Sequence, residues 1–361
     1  MHSFYIIIDE LILVCVMIRE RKVSRLPVFD EKEFEQSYDE ESQKVNAQED
    51  AKILFAMIGH VNSGKSSTIN QLIGDEVAHV GAKPGETIGI DFYQYTDAIT
   101  FVDTPGLDDI ISENSKATMK FYKDADVILF FLNAAGTVFS EGEKRTFELI
   151  RKENKNILFV LNKIDAAEDI PNLINYVKEH SGKEFKVIPI SSKTGENIDR
   201  LRNEILDILE KKHKDIKFAK TIQAKSPIAK KWILGATTSA TAIGAAPIPG
   251  SDFIPLTGIQ VGLMIKLAAL YDKPLSKKKA KELIIATITG NIGKTVFRQI
   301  VKFVPGAGSV AGGSVAGGMT LALGYAVKYA YEKDIELNVH SLRNLYEMFQ
   351  QRNAKKQQKE K

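Results

Sequence analysis

From Lys52 onward the hydrophobic positions come in short unbroken runs: KILFAMI (52–58), ITFV (99–102), NILFVL (156–161) and VIPI (187–190). Runs of that length suit strands buried on both faces. Between them, SSTINQLI, EGEKRTFELIRKEN and IDRLRNEILDILEKKH carry apolar residues at the three- and four-residue spacing of amphipathic helices. Strands interleaved with helices predict an α/β fold, a doubly wound and mainly parallel sheet whose ligand crevice lies at the carboxyl ends of its strands. After Lys231 the pattern changes to long uncharged segments, WILGATTSATAIGAAPIPGS (232–251), FIPLTGIQVGLMI (253–265) and FVPGAGSVAGGSVAGGMTLALGYAV (303–327). These predict a second, all-α domain rich in glycine, organised as helical hairpins around the turns Pro249-Gly250 and Pro305-Gly306.

A chain of 361 residues suits two domains. The expected division is an N-terminal arm over 1–50, an α/β domain over 51–213, a basic linker over 214–231, an apolar helical domain over 232–335 and a basic tail over 336–361. The arm contains FYIIIDELILVCVM, too short to span a bilayer and without the flanks of a signal peptide. Met17 is an alternative start. Residues 27–50 are acidic and read as a solvated lead-in helix or loose arm.

Composition is globular, with 44% hydrophobic and 26% charged residues, and the single cysteine, Cys15, excludes an intramolecular disulfide and a Cys-rich metal site. The net charge of +3 is unevenly spread, because Lys211 to Lys231 holds eight lysines against one acid, Asp215. A polybasic segment ahead of Trp232 and an apolar helix is how a chain meets an anionic leaflet. A solvated linker is the plainer reading. In the glycine-rich stretch, Gly308, Gly312, Ala316, Thr320 and Gly324 recur every four residues, as do Ser309, Gly313 and Gly317. That spacing puts small residues on one helix face, where a second backbone can approach. Two outcomes stay open: a hairpin that docks on or dips into a membrane, and a closely packed bundle of four helices.

The first apolar run ends in GHVNSGKSS, with Gly59, Gly64, Lys65 and Ser66 in the spacing of a phosphate-binding loop. Backbone amides of Asn62, Ser63, Gly64, Lys65, Ser66 and Ser67 can turn toward phosphate oxygens at the start of a helix. Lys65 would reach the β- and γ-phosphates, and the Ser66 hydroxyl would ligate Mg²⁺. Asp103, at the end of the next run in ITFVDTPG, can hold Mg²⁺ through a water, and the Gly106 amide can sense the γ-phosphate. NILFVLNKID supplies Asn162, Lys163 and Asp165, and the Asp165 carboxylate matches the paired N–H donors of guanine. VIPISSKTG supplies Ser191, Ser192 and Lys193 near guanine O6. Four such motifs, in order and each closing an apolar strand, point to a guanine nucleotide site.

These residues resemble the translation-factor-like bacterial GTPases of the Era and TrmE type, over about Ala51 to Lys212. The resemblance implies GTP hydrolysis coupled to a switch, with Mg²⁺ as cofactor. It implies a catalytic switch threonine that ligates Mg²⁺; Thr87 in GAKPGETIGID fits best, and Thr96 is the alternative. Where Ras-like proteins carry a water-orienting glutamine, this chain has Leu107, so slow turnover is expected, with the missing group borrowed from a protein partner or a second G domain. Asn62 stands where TrmE-like enzymes carry an asparagine that helps bind K⁺; the alternative is a small polar residue tolerating an unusual backbone. Residues 228–332 are similar to a domain found behind some bacterial GTPases and in certain inner-membrane proteins, which implies membrane association.

The expected function is therefore a slow, nucleotide-dependent GTPase switch joined to a membrane-associated helical domain. It is expected in the cytoplasm, peripheral to or partly inserted in the inner membrane, with GTP, GDP and an anionic membrane surface as partners. Two alternatives follow from the same residues, a ribosome- or RNA-assembly GTPase and a dynamin-like membrane remodeller. No basic-aromatic stripe for nucleic acid follows the α/β domain.

Overall fold

The computed structural model describes residues 29–74, 82–84, 91–103, 115–245, 256–289 and 312–345. They divide into two compact units: Ala47–Lys225, and Met1–Asn46 together with Ser226–Lys361. The α/β unit is thus inserted in a helical unit made from both ends of the chain.

In the inserted unit the strands are β1 (Ile53–Ile58), β2 (Ala82–Pro84), β3 (Asp91–Gln94), β4 (Ile99–Asp103), β5 (Val127–Asn133), β6 (Ile157–Asn162) and β7 (Lys186–Pro189). They form one sheet of order β2-β3-β4-β1-β5-β6-β7, in which β4, β1, β5, β6 and β7 run parallel and β2 and β3 form an antiparallel edge. The expected α/β fold with a mainly parallel sheet is present. Its helices are α2 (Lys65–Ile73), α3 (Ser115–Asp124), α4 (Glu141–Glu153), α5 (Ile170–Ser181), α6 (Ile198–Lys211) and α7 (Asp215–Thr221).

Strand alternation divides the core between the two sheet faces. Ile128, Phe130 and Leu132 of β5 and Ile157, Phe159 and Leu161 of β6 meet Tyr122, Phe147, Ile150 and Val177 of α3, α4 and α5. Phe130, Phe139, Phe147, Phe159 and Phe185 pack edge to face or tilted at centroid distances of 5.0–6.4 Å. On the other face, Phe55 of β1 stacks on Phe101 at 4.8 Å and meets Phe218 of α7 at 5.7 Å.

That last contact corrects the expected linker over 214–231. The segment is helical: α7 lies within it, and α8 (Lys225–Ala245) begins in it. Ile216, Phe218, Ala219 and Ile222 are fully or nearly fully buried, an apolar stripe that the surrounding lysines disguise in composition. Several of the lysines are engaged. Lys212 and Lys214 pair with the buried Asp126 at 3.3 and 2.8 Å, and Lys220 pairs with Glu49 at 2.9 Å. A buried carboxylate held between two lysines and the Leu54 amide is a structural joint, since an unpaired charge there would be costly.

The amide groups that open α7 are capped from far away in sequence. Lys214, the N-cap, provides no side-chain cap. Instead Gln48, 4% exposed, accepts from Ile216 N at 2.9 Å and Lys217 N at 3.4 Å. Gln48→Ala is expected to leave both amides unsatisfied at a cost of about 2 kcal/mol. Their hydrogen exchange should then accelerate roughly 30-fold; unchanged protection would remove this role from Gln48.

The helical unit comprises α1 (Glu31–Asn46), α8, α9 (Leu256–Leu270), α10 (Lys277–Thr289) and α11 (Gly312–Glu332). The acidic segment expected as a solvated lead-in helix or loose arm is helical, α1, and it packs along α9 rather than standing in solvent. Its acids have partners: Asp39 pairs with Lys277 at 2.9 Å, Glu35 also pairs with Lys277, and Glu31 pairs with Lys281. Glu33 accepts from the Gly258 amide at 3.0 Å in the first turn of α9. Burial lifts the Glu33 carboxyl above the ordinary range, partly offset by that amide.

α9 is buried around most of its circumference, with Leu256, Val261, Met264, Leu267 and Leu270 at 0% exposure. Such a helix belongs in the middle of a bundle. The small residues of α11 serve the same packing: Ala316 and Thr320 are buried, and a Cβ on Gly324 would lie 2.8 Å from Ile233 of α8. Among the described residues, no helix is long and apolar enough to cross a membrane. Gly308, Ser309 and the turns at Pro249-Gly250 and Pro305-Gly306 lie outside the described residues.

Candidate functional site

The strand order reverses direction at β1: β4 flanks it on one side and β5 on the other. Open α/β sheets bind ligands outside the carboxyl end of such a strand. There β1 runs into the loop from Gly59 to Gly64, and α2 begins at Lys65. Gly64 has φ of 89°, and a Cβ on it would sit 2.1 Å from Asn162 Nδ2. Glycine is therefore required there on both conformational and steric grounds. Asn62 also has positive φ, 64°, and asparagine is among the few side chains that tolerate this region. That backbone is a sufficient reason for an asparagine at this position.

Lys65 Nζ donates to the carbonyls of Gly59 at 2.9 Å and His60 at 3.3 Å, and lies 3.5 Å from Asp103 Oδ1. Ser66 in the first turn of α2 and Asp103 at the end of β4 line one cavity with Lys65. A hydroxyl and a carboxylate beside a phosphate loop are hard oxygen donors of the kind Mg²⁺ takes, and they fit that ion. Thr87 and Gly106 lie outside the described residues, as does Leu107. Thr96, the alternative to Thr87, sits in the turn before β4 rather than in a strand, and its hydroxyl accepts from the amides of Ala98 and Ile99, both at 3.2 Å.

Asn162 is fully buried and acts as a node. Its Nδ2 donates to Ser63 O at 2.8 Å and Ser192 Oγ at 3.1 Å, while its Oδ1 accepts from Ser192 N at 3.0 Å. One side chain thus joins the phosphate-type loop to the loop after β7. Asp165 Oδ1 accepts from Ser191 Oγ at 2.7 Å, and Lys193 Nζ lies 3.9 Å from Oδ2. The Ser191 hydroxyl in turn accepts from Thr194 N at 3.1 Å. These bonds fix the Asp165 carboxylate, while Lys163 reaches the same wall with a left-handed backbone, φ of 66°.

The cavity these loops enclose is about 540 Å³, within the range of small-molecule sites. It is lined by Asn62, Ser63, Gly64, Lys65, Ser66, Ser67, Asp103, Lys163, Asp165, Ser192 and Lys193, and also by Val61 and Ala166. Ser191 stands behind it, supporting Asp165.

The far end of α2 is tied down as well. Arg202 of α6, 3% exposed, donates to the carbonyls of Leu72 and Gln71, both at 3.1 Å. These are carbonyls a helix terminus leaves without intrahelical partners. Burial pulls the Arg202 guanidinium down from its usual value, and Asp199 pushes it back up. No local signal marks Arg202 in the sequence, because its acceptors are main-chain groups on another helix.

Residues 54–163 match the protein family described as "50S ribosome-binding GTPase". A GTPase Era from Lactobacillus delbrueckii subsp. bulgaricus is 32% identical over 164 residues, covering 43% of this chain and 53% of the relative. This unit is similar to an Era-type G domain. A GTPase Der from Thermosipho africanus is 33% identical to it over 165 residues, covering 43% of this chain and 37% of the relative. The chain spans about half the length of the Era proteins that the G domain matches. A solved structure of a probable GTP-binding protein engB shares 26% identity with a TM-score of 0.35, covering 45% of this chain and 100% of that one. The helical unit lies outside the matched family segment.

Proposed function

We propose that this protein binds GTP and GDP with Mg²⁺, hydrolyses GTP slowly, and uses the two nucleotide states to set the packing of its helical unit. The reading rests most on the Asn162 node, which makes one cavity of a loop suited to phosphates and a carboxylate suited to guanine. Lys65 would hold the β- and γ-phosphate oxygens. Bound Mg²⁺, held by Ser66 and Asp103, would neutralise charge on those oxygens. Leu107 cannot orient water, so the G domain alone is expected to be a poor hydrolase. The missing group would come from a protein partner, a second G domain, or K⁺ beside Asn62.

Coupling is supported at the end of α2. The Ile73 carbonyl accepts from Gln223 N at 3.0 Å and Ala224 N at 3.3 Å. These two residues immediately precede the point where the chain leaves the G domain. A shift of α2 on phosphate binding would therefore be felt first by the segment that opens α8.

The test is calorimetric titration of the full chain with GDP, GTP and ATP in Mg²⁺, followed by turnover in K⁺ and Na⁺ buffers. Binding of both guanine nucleotides without ATP binding is expected, with slow GTP hydrolysis. Failure to bind either guanine nucleotide would end the proposal. A second reading, a ribosomal partner, is favoured by the match of residues 54–163 to a family described as ribosome-binding. Co-sedimentation with large ribosomal subunits in the GTP-analogue and GDP states tests it. The membrane-associated alternative is tested by flotation with anionic liposomes in the same two states.

A further inference from the structure

Val61 and Ser63 of the phosphate-type loop border both the 540 Å³ cavity and a second one of about 260 Å³. It is lined by His60, Ser63, Asn133, Thr137, Ser140 and Glu143, with Val61 and Phe131. A loop bordered by a cavity lacks the close packing that would otherwise fix it. The Ser63 hydroxyl is buried and without a hydrogen-bond partner among the described residues. One side chain of the loop reaches across to a charge. His60 Nε2 lies 3.6 Å from Glu143 Oε1, and the Glu143 side chain is only 2% exposed.

Glu143 is itself held rigidly. It is the N3 residue of α4, and its Oε2 accepts from Ser140 N at 2.7 Å and Ser140 Oγ at 2.9 Å, while the Ser140 hydroxyl accepts from Glu143 N. This reciprocal capping box uses one carboxylate oxygen and leaves Oε1 toward His60. The other end of His60 is its carbonyl, which accepts from both Ser63 N at 3.1 Å and Lys65 Nζ at 3.3 Å. A continuous set of contacts therefore runs from the cap of α4 through Glu143 and His60 to the ammonium of Lys65.

We infer that His60 and Glu143 form a positioning pair that holds the carbonyls of Gly59 and His60 against Lys65, and so sets how long the loop retains nucleotide phosphates. The inference rests on the guanine nucleotide reading of the main cavity. The pair touches no phosphate itself; it acts through the backbone of the loop. Releasing it lets the loop relax into the neighbouring cavity, so Lys65 loses its fixed position.

Glu143→Gln removes the charge while keeping a residue that can complete the capping box, and His60→Ala removes the other partner. In the full chain, each is expected to speed release of a fluorescent GDP about tenfold and to raise the KM for GTP by a similar factor. The turnover number should fall far less than KM rises, and the thermal midpoint should stay close to wild type. The double variant should be no worse than either single one, because both break the same contact. His60→Gln, which keeps a side-chain N–H donor, should restore slow release. Loss of turnover with an unchanged KM, additive effects in the double variant, or unaltered release would each overturn the pair. Absence of GDP binding by the wild-type chain would instead overturn the nucleotide reading itself.

Discussion

Asp165→Asn is expected to lower GTP and GDP affinity by on the order of 10³-fold or more while creating affinity for xanthine nucleotides. A carboxylate offers two acceptors to the N1–H and N2–H₂ donors of guanine. An amide presents one acceptor and one donor, so one guanine N–H would face another N–H across the contact. Sites built to hydrogen-bond a substrate discriminate by 10⁴–10⁵ when the match is lost. Xanthine carries a carbonyl where guanine carries its amino group, and the amide suits it. The geometry sharpens the expectation, because Ser191 Oγ holds Asp165 Oδ1 at 2.7 Å and Ser191 is itself fully buried. The substituted side chain therefore has little freedom to turn away. Titration with GDP and XDP, with thermal unfolding alongside, decides it. If GDP affinity survives, Asp165 does not read the base, and the cavity serves another ligand.

The site was legible in sequence because its chemistry is local. Gly59, Gly64, Lys65 and Ser66 sit within eight consecutive positions, and Asp103, Asn162 and Ser191 each follow an apolar run that had to be a strand. Parallel strands of one sheet end on one side, so the motifs converge without further information. The joints between distant parts were not legible. Gln48 caps a helix 168 positions away, and Asp39 meets Lys277 across 238 positions. An acidic stretch with remote partners has the composition of a solvated arm, and lysines with remote partners look like a membrane-seeking segment. Spacing held one usable signal: Glu31, Glu35 and Asp39 repeat at four, as do Lys277 and Lys281. Two complementary stripes of that period are what paired helices present to each other. His60 and Glu143 were missed for a related reason. A capping box in SEGEK reads as a helix start, and only the fold shows that one oxygen of its glutamate faces the phosphate-type loop.

Gly324→Leu should destabilise the helical unit by about 2–3 kcal/mol, against the sign that helix propensity alone predicts. In an exposed helix interior, replacing glycine stabilises by roughly 0.5–1 kcal/mol. At Gly324 even a Cβ would lie 2.8 Å from Ile233 Cγ1, 3.0 Å from Ile233 Cγ2 and 3.1 Å from a Leu263 methyl. Ile233 is β-branched and fully buried, so it cannot swing aside, and an overpacked core typically costs 1–3 kcal/mol. Gly235 in α8 is the internal control, since a Cβ there meets nothing within 4 Å; Gly235→Ala should stabilise by up to about 1 kcal/mol. Urea unfolding followed by Trp232 fluorescence, a probe within the helical unit, separates the outcomes. Opposite signs at the two glycines mean that the glycine-rich face of α11 is committed to packing against α8 and α9 within the chain. Stabilisation at both would free that face for lipid or another protein. The distinction bears directly on the switch, because a helix pair held by backbone proximity admits little gradual movement. Interfaces of this kind are packed in one arrangement or rearranged into another, and that is the behaviour a nucleotide-driven element needs.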